Sequence, residues 1–438
     1  MKKAISLAFF FSAVFTLIFI LMSFFPKFQG MLIFLAVFLL GDLALWLSVR
    51  GWINKQGRFM KFALSGLYWT PAASLCALVL FGFIVPFIYW DVTAKAILLS
   101  LLMMTIAAKI IPLAITPVSR LAGFLLKRLF KAGTAWLRWV DICSWLIGAV
   151  IWLTLLMGMI TWVYDFQVRT ADFNSPKIPP SFNNFRIVQI SDLHLGNWTC
   201  RKKIMDAVNM INALKPDLIV FTGDMFTFST AEGKGFGPYL EKMHAKNGIY
   251  AIMGNHDYGD YVKWETVLAK QQNQEDFLRF YAGLGWKLLL NQSAVVRSGS
   301  DSINIIGVEN WGASKRFQRY GDIAKAENGI NRSCFTVLLS HDPSYWDSII
   351  CKQHPEIDLT LSGHTHGGQI GIEAGSVRWS ILSASNPLWA GLYTKNKAGF
   401  KSVLYVNRGL GTVGYSGRVG IRPEITLIIL HSVKHESP

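Results

Sequence analysis

Long apolar runs fill the first 165 residues of the chain, and short alternating ones follow. In the first part the apolar residues continue for about 17 to 25 positions, the length that crosses a bilayer as a helix. The pattern predicts five such spans, over residues 4–25, 31–49, 63–89, 95–115 and 142–163. Lys2 and Lys3 precede the first, which reads as retained: it is long, has no clear small-x-small cleavage site and leads straight into the second. Beyond the last span, "NSPKIPPSFNN" at 174–184 is rich in Pro, Ser and Asn and reads as a linker. After it, short apolar runs alternate with helical segments and glycine-rich turns, as in an α/β domain. The expected division is a membrane domain of about five helices at 1–165, a linker at 166–184 and an α/β domain at 185–438.

Charge changes this picture by its position. The chain of 438 residues carries a net +16, but residues 1–169 hold 15 Lys and Arg against 4 Asp and Glu. Most of the basicity therefore belongs to loops between spans, which argues against nucleic acid as a partner. The basic residues cluster before the first span, after the second (Arg50, Lys55, Arg58, Lys61) and after the fourth (Arg120, Lys127, Arg128, Lys131, Arg138). By the positive-inside rule these loops face the cytoplasm, and five spans leave everything after Tyr164 on the outer side. The stretch "PVSRLAGFLLKRLFKAGTAWLRWVD" fits a basic amphipathic helix on the inner surface. Asp42 and Lys109 fall inside the second and fourth spans at a similar depth, so the two helices are expected to pack with these charges paired.

Five cysteines show no close pairing or metal-ligand spacing and read as small buried residues. The chemistry lies elsewhere. Five runs in the second half end in similar polar residues: "FRIVQI" in Asp192 and His194, "DLIVF" in Asp224, "GIYAIM" in Asn255, His256 and Asp257, "FTVLLS" in His341, and "IDLTLS" in His364 and His366. Side chains gathered beyond the carboxyl ends of strands are what open α/β sheets offer a ligand. The remaining histidines, His244, His354, His431 and His435, read as surface, strand or tail residues.

The ordered set D-x-H, G-D, G-N-H-D, H and G-H-x-H resembles that of the calcineurin-like metallophosphoesterases. The tail "GLYTKNKAGFKSVLYVNRGLGTVGYSGRVGIRPEITLIIL" is similar to the membrane-attached bacterial phosphodiesterases of the YkuE and YaeI type and to a eukaryotic transmembrane protein with the same domain. The resemblance implies an αββα sandwich and a metal-dependent phosphoric ester hydrolase. It also implies two divalent ions, which together make a nucleophile from water and neutralise the phosphoryl oxygens. Asp192, His194, Asp224 and His366 would bind one, and Asp224, Asn255, His341 and His364 the other. Mixed imidazole and carboxylate ligands favour Mn, Fe or Zn over Mg. Gly367 and Gly368 would let the backbone turn close to the ions.

His256 is left without a metal, and in the family it contacts phosphate and protonates the leaving group. One departure bears on it. Many members read G-D-x-x-D, the second Asp orienting this histidine, whereas "GDMFT" has Thr227 there. Either Asp257 or another carboxylate orients His256, or proton transfer is weaker than usual. Asn407, Arg408 and Gly409 in "VNRGLG" either line the phosphate side of the cleft or form a plain turn.

Two classes of function remain. One is an enzyme of a bacterial plasma membrane hydrolysing a phosphoester or pyrophosphate of a lipid-linked or envelope substrate outside the cytoplasm. The other is a receptor or transporter with an accessory phosphoesterase fold, which a complete ligand set and few intramembrane charges disfavour. Hydrolysis of UDP-2,3-diacylglucosamine in lipid A synthesis is a variant of the first, but that step is cytoplasmic. Aromatic-rich insertions such as "DYGDYVKW", "ENWGASKRFQRY" and "RWSILSASNPLWAGLY" form either a self-packed lid or a surface for an acyl chain or bilayer.

Overall fold

The computed structural model describes residues 29–85, 87–131, 133–397 and 400–433, so the expected span at 4–25 and His435 lie outside the described residues. Four long helices come first: α1 (Gln29–Ile53), α2 (Arg58–Ile84), α3 (Val92–Phe130) and α4 (Leu137–Ile160). Each is apolar and long enough to cross a membrane, and together they match the second to fifth expected spans. One expectation fails. The basic segment after residue 116 does not form a separate surface helix but continues α3, which runs for 39 residues through Pro112 and Pro117. Proline removes one hydrogen bond without ending an apolar helix whose backbone has no water to turn to. Leu137 to Asp141, the end of that basic segment, instead open α4.

The described chain divides into two compact units. The first ends at Tyr89 and resumes over Leu101–Thr154; the second comprises Trp90–Ser100 and the chain from Leu155. In the first unit Lys109 of α3 meets Asp42 of α1 at 2.7 Å, the pairing their depths predicted. The ammonium also lies 4.8 Å from the Tyr68 ring, and Tyr68 donates its hydroxyl to the Asp42 carbonyl at 2.5 Å. Gly148 brings α4 against α3 so closely that a Cβ there would sit 2.3 Å from the Ala108 carbonyl oxygen.

The second unit contains fourteen described strands: β1 (Gln167–Ser175), β2 (Phe185–Ile190), β3 (Leu218–Phe221), β4 (Ile249–Ala251), β5 (Lys287–Leu288), β6 (Gln292–Ser298), β7 (Asp301–Gly307), β8 (Thr336–Leu339), β9 (Leu359–Ser362), β10 (Gly371–Ala374), β11 (Val377–Ser380), β12 (Gly391–Lys397), β13 (Phe400–Val406) and β14 (Glu424–Ser432). One sheet runs β1-β14-β2-β3-β4-β5, a second β12-β13-β9-β8-β7-β6, and β10 pairs with β11 alone. Strands β2 to β5 are parallel, as are β7, β8, β9 and β13.

Alternation along these strands builds the layers. Ile187, Leu218 and Val220 of the first sheet join Ile303, Val337, Leu339, Leu359 and Leu361 of the second in one buried core. Their neighbours Val188, Ile219 and Phe221 point the other way, onto α5 (Ile204–Ala213) and α6 (Val267–Leu284). On the far side of the second sheet, Ile306, Leu338 and Leu404 pack on Tyr345, Trp346 and Ile350. This is the expected αββα sandwich. With both faces covered, its central strands read as nearly continuous apolar runs.

Two further expectations are corrected here. The 166–184 linker is largely structured, because β1 pairs in parallel with β14 over its full length. Its polar sequence "QVRTADFNS" reflects an edge position with alternating exposure. Of the five cysteines, all free, only Cys351 is buried, and Cys143 and Cys200 are exposed.

Candidate active site

The two sheets bring their carboxyl ends to one place. Loops after β2, β3 and β4 carry Asp192, His194, Asp224, Asn255 and His256; loops after β8 and β9 carry His341, His364 and His366. Asp192, His194, Asp224, His364 and His366 all have left-handed backbones, half of the ten such non-glycine residues described. Backbone strain of this kind concentrates where side chains must be aimed. Two glycines show how tightly. A Cβ on Gly254 would lie 2.2 Å from Asp224 Oδ1, and one on Gly363 2.3 Å from Asp192 Oδ2. Gly367 and Gly368 also take left-handed turns, but they pack on Ile421, Arg408 and Ser380.

The seven residues expected as ligands converge. Asp192, His194 and His366 form one group of atoms close enough to share an ion, and Asp224, His341 and His364 another. Asp224 stands between them, its Oδ2 3.4 Å from His194 Nε2 and 3.1 Å from His341 Nε2. Asn255 Oδ1 lies 3.1 Å from the same His341 nitrogen, and His364 Nδ1 3.2 Å from it.

These contacts do not close on themselves. His341 Nδ1 lies 2.7 Å from the Thr222 carbonyl, a partner that can only accept, so Nδ1 carries a proton and Nε2 is turned to the cluster. That nitrogen faces a carboxylate oxygen, an amide oxygen and another imidazole nitrogen. His194 Nε2 and His366 Nδ1 are buried without a hydrogen-bond partner. Such a donor set could hold a cation, and its mix of imidazole, carboxylate and amide oxygen suits divalent ions. Electrostatics favour positive charge here. Burial alone would lower the pKa of His341, but Asp224 and Asp192 outweigh it and push it up to about 10. Burial likewise would raise Asp224, yet His341, His256 and His194 hold it well below the usual carboxylate range.

His256 stands beside this cluster, its ring centroid 4.8 Å from that of His194. Its backbone N–H donates to Asp224 Oδ1 at 2.9 Å, and its Nδ1 lies 2.8 Å from the Thr227 carbonyl oxygen. The orienting group is thus the main chain of the residue that departs from the family pattern. No carboxylate does this work: Asp257 instead accepts the backbone N–H groups of Asp224, Met225, Phe226 and Gly254, stapling two site loops together. Burial, followed by the charge of Asp224, pushes Asp257 up to about 7. Burial pushes His256 down to about 4.

Asn407 and Arg408 do not line a phosphate cleft. Asn407 is buried on Thr426, and its Oδ1 accepts the Gly409 N–H at 2.7 Å. Arg408 is buried between Glu424 and Glu373, the latter at 2.6 Å. Their loop still serves the site, since Leu410 and Gly411 donate N–H groups to the carbonyls of Ser191 and Asp192.

Two residues escaped the sequence reading. Arg418 is fully buried and gives its guanidinium to the carbonyls of His366, Arg408, Gly409 and Gly411; burial lowers it to about 9. Nothing near it in sequence signals this. Tyr261 stacks on His256 with centroids 4.1 Å apart and accepts from Asn255 Nδ2 at 2.7 Å. It lies in one of the aromatic insertions, where its distance of six residues from Asn255 was the available clue.

Comparison with known proteins bears on the family. The family model described as calcineurin-like phosphoesterase matches residues 185–368. The chain is 32% identical to the transmembrane protein with metallophosphoesterase domain of Danio rerio, over 62% of this chain and 59% of that protein's length. It is 30% identical to the uncharacterized metallophosphoesterase YkuE of Bacillus subtilis, over 63% of this chain and 90% of that one. It is 29% identical to the UDP-2,3-diacylglucosamine pyrophosphatase LpxG of Chlamydia trachomatis, over 60% of this chain and 92% of that one.

Proposed function

Because the chain belongs to the calcineurin-like metallophosphoesterase family, we propose that it is a membrane-anchored, two-metal hydrolase of a phosphoester or pyrophosphate with a lipid-linked or envelope substrate. The observation that carries this is the convergence of carboxylate, amide and imidazole ligand atoms around Asp224. Asp192, His194, Asp224 and His366 would hold one divalent ion and Asp224, Asn255, His341 and His364 the other. When bound, the ions supply a hydroxide nucleophile and charge on the phosphoryl oxygens. Mn, Fe or Zn suits these ligands better than Mg.

His256 serves the leaving group. Its Nδ1–H is held by the Thr227 carbonyl, which leaves Nε2 to exchange the proton. Burial lowers that ring to about 4, and an anionic phosphate against it would favour the protonated form. Tyr261 holds the ring plane by stacking and Asn255 by its hydroxyl.

We place the protein in a bacterial plasma membrane as a multi-pass protein with this site outside the cytoplasm, on the distribution of basic loops. The likeness to LpxG favours a second reading, a cytoplasmic-facing pyrophosphatase of a UDP-linked diacyl sugar. One experiment separates them. Cys200, exposed in the catalytic half, should react with a membrane-impermeant thiol reagent in intact cells; protection in intact cells with reaction after lysis would favour the second. Hydrolysis by the purified full-length protein is then measured on a panel of lipid and nucleotide phosphoesters. Failure on every member with Mn, Fe and Zn supplied would overturn the enzymatic reading.

A further inference from the structure

The hairpin β10–β11 is built inside out. It follows the His364–His366 loop directly, and its register pairs Gly371 with Ser380, Ile372 with Trp379, Glu373 with Arg378 and Ala374 with Val377. Residues two apart on a strand share a face, and so do directly opposed residues across a pair. Ile372, Ala374, Val377 and Trp379 therefore form one face, and Gly371, Glu373, Arg378 and Ser380 the other.

The apolar face is the open one. Ile372 is 52% exposed, Val377 55% and Trp379 51%, with Ile381 just beyond at 53%. On the other face Glu373 and Ser380 are turned in, while Arg378 is half exposed. Glu373 meets Arg169 at 2.7 Å and Arg408 at 2.6 Å, and the Ser380 hydroxyl donates to the Gly367 carbonyl at 2.6 Å. A hairpin facing only water arranges its residues the other way, polar out and apolar in. Such a face calls for an apolar partner.

Its surroundings say which. Arg169 lies five residues beyond Tyr164, where the candidate span Leu137–Tyr164 ends, so the chain between them extends at most about 17 Å. Ile370, the residue before β10, bridges to Val419 and Gly420, and nearby Arg422 pairs with Asp165 at 3.1 Å and covers the Trp162 ring at 4.9 Å. The hairpin is thus tied by Glu373–Arg169 to the strand that follows the span, and Arg422 beside it holds Asp165 at the span's end. Trp379 follows Arg378 and Trp162 lies under Arg422, and tryptophan beside arginine is a composition found at membrane interfaces.

We propose that the apolar face of β10–β11 seats in the interface of the bilayer the chain is anchored to, and that it presents lipid-borne phosphoesters to the metal loop bonded to its inner face. This deepens the lipid-linked reading of the active site and rests on it. The occupant is the membrane itself, since the hairpin is tethered beside a span's end by the same chain.

The test uses the full-length protein in nanodiscs of phosphatidylethanolamine and phosphatidylglycerol. Val377→Cys carries an environment-sensitive fluorophore, read against the same chain without the added cysteine. Quenching by nitroxide-labelled lipid, with weak quenching by aqueous iodide, is expected. Quenching by iodide alone would overturn the proposal, and so would disulfide cross-linking of Val377→Cys between chains, which would assign the face to a second copy. In a kinetic arm, Ile372→Ser with Trp379→Ser should raise KM for a diacyl phosphoester in vesicles at least about tenfold, the worth of one apolar side chain. Turnover of soluble p-nitrophenyl phosphate should stay unchanged. An unchanged KM for the lipid would refute the presenting role. Should no phosphoester be hydrolysed at all, the active-site reading falls, while lipid quenching still decides where the hairpin sits.

Discussion

Buried charge is handled in two opposite ways in this molecule. Between α1 and α3, Asp42 and Lys109 meet at hydrogen-bond distance and neutralise each other. In the second unit Arg408 and Arg169 together match Glu424 and Glu373. The cluster around Asp224 is open: His194 Nε2 and His366 Nδ1 are buried without a hydrogen-bond partner, and its side chains group as the ligands of an ion would. A closed pair holds a fold together, whereas an open one is completed by a ligand, and the same residue types serve both ends.

The largest effect should come from the centre of the open cluster. Asp224→Ala should abolish binding of both ions and lower activity roughly 10⁴-fold or more, because Asp224 alone stands between the two groups. Metal analysis is the check, and two ions per chain in this variant would end the bridging assignment. Next comes a closed pair. Arg408→Met leaves buried Glu424 with only Arg169, at 3.9 Å, and should destabilise the second unit by roughly 3 kcal/mol in denaturant unfolding. Arg408→Met with Glu424→Gln should recover part of that loss; a single variant as stable as the parent would show that the network is dispensable.

His256→Ala should keep both ions and slow turnover roughly a hundredfold, the lower end of a general-acid contribution. Substantial metal loss in this variant would make His256 a ligand and merge it with the open cluster. The smallest effect belongs to the membrane unit. A double-mutant cycle with Asp42→Asn and Lys109→Gln, read by thermal stability in detergent, should give a coupling of about 0.5 kcal/mol or more. Strict additivity would mean that the pair does no more than fill space.

Chemistry and layers were legible in the sequence. The runs ending at Asp192, Asp224, Asn255, His341 and His364 could be read as strands because both faces of each are covered, and apolar runs of that length leave few alternatives. The depth of Asp42 and Lys109 could be counted along two helices, since a helical rise is constant. Tertiary structure alone decided the rest. A polar stretch such as 167–175 reads as a linker until β14 offers it an edge to pair with, and no local signal records a partner more than two hundred residues away. That the Thr227 carbonyl orients His256, that Asp257 staples backbone amides, and that Arg408 and Arg418 lie buried beneath the site all depend on where loops from separate strands meet. A side chain's type sets what it can donate or accept; its surroundings decide which of those it does.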